Sequence, residues 1–215
     1  MRLGRRMGGL LVLGLLLVPA GAQAQAGTPG FSCRASAVRA PLIGEPAVAN
    51  NPYTPCKTDA KSVNNSVQSP GLLGVYVLDA RTSTEGWSNY LGQPTPGGGA
   101  WASVAYAVIN LPGLAIKVWG VSSNAGRKCL APGFTDIGGS SVIAALSING
   151  RFIPVAAPGL AIPLGIGTLY LNYATKNATD VTTRALWLDL AGDANDIVLA
   201  EARAGATGNP CAVAR

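Results

Sequence analysis

The chain has 215 residues, 48% of them hydrophobic and 12% charged, with 28 glycines, 15 prolines and no histidine. Its net charge is +6, and the three arginines nearest the N-terminus account for half of that, so no Lys/Arg cluster of the kind a nucleic-acid surface needs is present. This much apolar content excludes a disordered chain, and the lack of histidine excludes Ser-His and Cys-His nucleophile pairs and His-ligated metal sites.

Residues 1–24 read as a cleavable secretory signal. Arg2, Arg5 and Arg6 form a basic head, Met7 to Val18 is an uncharged apolar run, and Pro19 breaks it. Ala22-Gln23-Ala24 then supplies the small-x-small pattern of a signal-peptidase site, with Ala24-Gln25-Ala26 as a second cut. As a helix the apolar run would span about 18 Å, short of a ~30 Å hydrocarbon core, so cleavage is expected rather than anchoring. No later segment is apolar enough for stable membrane insertion. The C-terminal GATGNPCAVAR carries no sorting motif or hydrophobic tail, so no anchor is expected from it. The expected location is secreted: extracellular or cell-wall associated.

Residues 25–70 read as a loop-rich N-terminal extension with one strand, Phe31 to Ala40. Pro41, Pro46, Asn50-Asn51-Pro52 and Pro55 prevent a helix and favour turns beyond it. From residue 71 to 215 the pattern becomes regular. The first core strand, within GLLGVYVLDARTS, alternates Val75, Val77 and Asp79 against Tyr76, Leu78 and Ala80. Residues 86–100 read as a loop ending in Gly97-Gly98-Gly99, which opens no strand-to-helix unit and so is no phosphate loop. Trp101 to Leu111 follows, with Val104, Tyr106 and Val108 on one face. Pro112-Gly113 turns the chain into Leu114 to Ser122, where Leu114, Ile116 and Val118 oppose Lys117 and Trp119.

Val142, Ala144, Leu146 and Ile148 alternate up to Asn149-Gly150, the pair favoured where both turn positions need φ > 0. Turns are also expected at Pro158-Gly159 and Gly165-Ile166-Gly167. Next comes GTLYLNYAT, with Leu169, Leu171 and Tyr173 against Tyr170. Beyond an NATD turn, TTRALWLDL sets Leu186, Leu188 and Leu190 against Trp187 and Asp189. A turn over Gly192 to Asn195 leads to the last strand, DIVLAEARA. Nine or ten short strands with turns about every ten residues predict an all-β domain. The expected form is an antiparallel two-sheet β-sandwich or a jelly roll, one domain together with residues 31–70.

Cys33, Cys56, Cys129 and Cys211 all lie beyond the signal. Four cysteines allow three pairings, and an oxidising compartment favours two bridges. The expectation is Cys33–Cys56, closing the proline-rich loop, and Cys129–Cys211, tying down the chain end. Chain entropy makes these worth roughly 3 and about 4.5 kcal/mol.

SSNAGRKC, ALSINGRFIPV, GTLYLN, TTRALWLDL and DIVLAEARAG in the C-terminal half, with SCRASAVRA near the start, resemble the exported bacterial choice-of-anchor P family. The resemblance implies one extracellular domain of the kind displayed through varied C-terminal anchors. It implies no catalytic residues.

The ten acidic residues are scattered, and they read as solvated loop and strand-edge charges rather than as a glycosidase pair. Asp189, Asp193, Asn195 and Asp196 gather oxygen donors that suit weak calcium binding, but the same residues make a tight turn, which is the favoured reading. Trp87, Tyr90, Trp101, Trp119, Tyr170 and Trp187 are the candidates for a sugar-stacking face, although the favoured reading is that a sandwich of this size tucks them beneath loops. Trp119, Tyr170 and Trp187 stand out because they fall opposite the aliphatic parity of their strands. No catalytic residue, metal or cofactor is expected. The functional expectation is a non-catalytic secreted or cell-surface domain of the bacterial envelope, with a structural or adhesive role. The alternative is a secreted carbohydrate-binding or carbohydrate-cleaving domain. Expected partners are envelope or matrix components, including glycans or another copy of the chain, and no nucleic acid.

Overall fold

The computed structural model describes residues 29–41, 43–155, 159–190 and 195–212. The expected signal segment, residues 1–24, Pro158 of one expected turn and Asp193 of another lie outside the described residues. Two six-stranded antiparallel sheets are stacked face to face. The first runs in the order β2 (Val48–Ala49), β1 (Gly30–Arg39), β12 (Ile197–Thr207), β11 (Asp180–Leu190), β10 (Gly167–Lys176), β9 (Leu160–Pro163). The second runs β3 (Asp59–Ser69), β4 (Leu73–Ser83), β5 (Gly97–Leu111), β6 (Leu114–Ala131), β7 (Phe134–Ile148), β8 (Arg151–Ile153). Neighbours follow chain order except where β12 returns to pair with β1. The structure is thus the expected sandwich, built from two meanders rather than from the long crossovers of a jelly roll.

Turn chemistry sets the register. Ile148 pairs with Arg151 around Asn149 (φ 50°) and Gly150 (φ 80°), as expected. Leu111 pairs with Leu114 around Pro112-Gly113. Three strands are additional to the expected set: β2, β3 and β9. β3 (DAKSVNNSVQS) was missed because it is an edge strand whose side chains are almost all exposed, so it carries no apolar alternation. The strands that precede residue 71 belong to the two sheets, as expected of one domain with residues 31–70. Of these, β1 lies inside the first sheet, between β2 and β12. β5 also begins four residues earlier than expected, at Gly97, and β6 runs on to Ala131.

A crease crosses both sheets at mid-strand. In the second sheet the ladder omits Val77, Ala105, Gly120 and Ala144; in the first it omits Ala37, Ala200, Ala185 and Asn172. Alternate strands carry a positive φ there: Val77 51°, Gly120 57°, Asn172 50° and Ala200 51°. A residue in this conformation shifts the side-chain alternation by one. The expected facing is corrected accordingly. Val77 is exposed while Val75 and Leu78 are buried, and Tyr106 and Val108 point outward while Val104 is buried. Val142 and Ala144 are exposed while Ile143 and Leu146 are buried. Tyr173 joins Tyr170 outside rather than Leu171 inside. The alternation expected for Leu114–Trp119 and for Leu186–Leu190 stops short of the crease and is present as read.

The crease separates two kinds of core. On one side the sheets meet through Leu169, Leu171, Leu186, Leu188 and Leu199 against Ile109, Ile116 and Leu146, all fully buried. On the other they meet through alanines such as Ala35, Ala80, Ala102, Ala202 and Ala204. There the sheets come close enough for the Thr183 hydroxyl of β11 to donate to the Asn124 carbonyl of β6 at 2.8 Å. The small-residue end is also the covalently braced end. Cys33–Cys56 joins β1 to the segment before β3, and Cys129–Cys211 joins β6 to the chain end. Both expected pairings are present.

Candidate binding cleft

Three rows of outward positions cross the second sheet on its alanine side. One row is Arg81, Trp101, Asn124 and Ser140; the next is Ser83, Gly99, Gly126 and Gly138; the third includes Gly97, Lys128 and Asp136. The middle row is a trough because its side chains are absent or short. The Trp87 indole, from the β4–β5 loop, lies on this bed. A Cβ at Gly97, Gly99 or Gly126 would fall 2.5, 2.5 and 2.7 Å from the ring, so only glycine fits beneath it. The loop itself is ordered by a small hairpin. Asn89 accepts from the Leu91 and Gln93 amides, and the Thr95 amide donates to the Trp87 carbonyl.

The result is an open cleft of about 420 Å³, within the range typical of ligand pockets. Trp101, 37% exposed, forms part of one wall, with the Arg81 guanidinium 5.6 Å from its ring. Arg81 also holds Asp79 through both carboxylate oxygens, which neutralises it and pushes its pKa upward. Lys128 and Asp136 form the other wall, on facing positions of β6 and β7. Asn124 donates to the Ser140 hydroxyl at 2.8 Å. No family model, curated protein or solved structure matches the chain.

The three aromatic residues singled out in the sequence do not form one face. Trp119 lies on the second sheet, in a ladder with Tyr76, Tyr106 and Phe152 whose successive centroids are 5.5, 5.2 and 6.1 Å apart. Tyr170 and Trp187 stack at 4.8 Å on the outer face of the first sheet. Trp187 is committed there: Nε1 donates to Asp196 at 2.9 Å, and Arg184 lies over the ring. Asp196 also accepts from the Leu190 amide, so both of its carboxylate oxygens are engaged, and no metal-ligating group of three is found among the described residues.

Other acidic side chains are engaged in the same structural way. Glu201 is buried among Arg34, Arg39 and Arg184; burial raises its pKa, but the three guanidinium groups outweigh this and hold it below the usual range. Glu45 pairs with Arg34, Asp180 accepts from the Tyr53 hydroxyl at 2.6 Å, and Asp59 accepts from the Asn50 amide.

Trp87 and Trp101 were among the aromatic candidates, but Arg81, Asn124, Lys128 and Asp136 were not. The readable sign was the spacing of glycine. Gly97 and Gly99 share a face with Trp101, and a second pair, Gly126 and Gly138, lies downstream.

Proposed function

We propose that this chain is a non-catalytic exported domain of the bacterial envelope, with a structural or adhesive role outside the cytoplasm. The observation that carries the reading is the employment of six of its ten carboxylates. Glu45, Asp59, Asp79, Asp180, Asp196 and Glu201 each hold a guanidinium, hydroxyl, indole or backbone partner. A carboxylate committed in this way is a poor general acid or nucleophile. The two disulfides agree with an oxidising compartment, and the resemblance to the choice-of-anchor P family supports surface display. Fractionation of the source cells, with a hydrolysis screen of the purified disulfide-bonded protein, tests the reading. Recovery in the medium or wall fraction without turnover is expected. Turnover of any glycan or peptide, or a cytoplasmic location, would overturn it.

A further inference from the structure

We propose that the cleft between Trp87 and Trp101 binds a neutral carbohydrate chain; this deepens the adhesive reading and rests on it. Four properties of the cleft select this ligand. First, its two indoles offer flat apolar surface, which suits the C–H faces of a sugar ring, and polar groups line the same trough to meet hydroxyls. Second, its charges balance. Arg81 is neutralised by Asp79, and Lys128 faces Asp136, so nothing favours a phosphate or a polyanion. Third, Lys128 and Asp136 make no hydrogen bond or ion pair with other described side chains, which leaves a donor and an acceptor available on one wall. Fourth, the trough crosses β4 to β7 on the outward sheet face, and β5 and β6 at its centre are each paired on both sides. A peptide adding itself as a strand needs a free edge, and the one here, along β7 ahead of Leu146, borders one end of the trough rather than running beneath it.

The glycine bed gives the site its rigidity. Trp87 rests directly on backbone at Gly97, Gly99 and Gly126, so its ring is placed before any ligand arrives. Gly138 continues the floor, and a Cβ there would meet nothing within 4 Å. A side chain at 138 would therefore project into the cleft without disturbing the sheet, and it serves as a plug.

The test is a glycan array followed by calorimetric titration with the best neutral oligosaccharide, using the full disulfide-bonded protein. Wild type should bind at least one neutral class, with little change when salt is raised. Trp101→Ala and Gly138→Leu should each weaken binding at least tenfold, while Trp119→Ala, in the separate ladder, should leave it unchanged. Circular dichroism and melting of each variant establish that it folds, and the plug variant stands if Trp101→Ala does not. No neutral glycan bound, binding that survives Gly138→Leu, or a salt-sensitive preference for acidic glycans would each overturn the proposal. Hydrolysis of the bound sugar would instead overturn the non-catalytic reading and leave the cleft assignment in place.

Discussion

Tyr53 reaches Asp180 across the bare Cα of Gly205. A Cβ at 205 would fall 2.3 Å from the Asp180 carboxylate and 2.5 Å from the Tyr53 hydroxyl. Gly205→Ala should therefore break this bond and lower stability by about 2 kcal/mol, as read by urea unfolding. The Tyr53 phenol has its pKa pushed up to about 12, first by burial and then by its bond to Asp180. Its contribution is whole below the ordinary tyrosine pKa near 10 and is lost as pH rises from there through 12. Glu201 behaves in the opposite sense. Its pKa is held low, so its contribution is present above the usual glutamate range and disappears as pH falls through its folded value. Glu201→Gln should cost about 2 kcal/mol at neutral pH, because the arginines left behind can still reach water. It should also flatten the acid limb of a stability–pH curve. An acid limb unchanged in this variant would show that the arginine cluster contributes nothing.

Among the elements, the crease is where the chain departs from ordinary strand geometry. Val77 is the costliest member, since a β-branched residue at φ 51° is strained, and at 48% exposed it recovers little by burial. Val77→Asn should relieve that strain and raise the melting temperature by about 3 °C, whereas Val77→Ile should not. The same crease marks the boundary of what could be read in advance. Strands, turns and disulfide pairs were legible because alternation, Asn-Gly and Pro-Gly pairs and cysteine count are local. The inside–outside assignment failed beyond Val77, Ala105, Ala144 and Asn172, because three of these four are ordinary strand residues that announce no change of phase. Sheet membership was equally hidden. Nothing near Trp119 says that β6 lies in a different layer from β10 and β11, so whether it shares a face with Tyr170 and Trp187 is decided only by sheet order. The cleft depends on register across four strands, which no single segment encodes.

The whole molecule owes its closure to β1 and β12, which pair from Gly30–Thr207 to Arg39–Val198 and so bring the two ends of the fold together on one side. The disulfides lie at that same end, separated by 23 and 82 residues in sequence. Their placement has a mechanical meaning. A pull applied between residues 30 and 211 enters through Cys33, passes to Cys56, follows the chain to Cys129 and leaves through Cys211. Residues 34–55 and 130–210 sit in closed covalent loops and carry no tension at all. Extension under load is thus confined to the segment that contains β3 to β6. Reduction should release the stored length, lengthening the fully stretched chain by roughly 35 nm in a single-molecule pulling experiment. An equal contour length with and without reductant would show that the load takes another route. A domain wired in this way can give ground at a bound surface without ever paying out more than about a third of its chain.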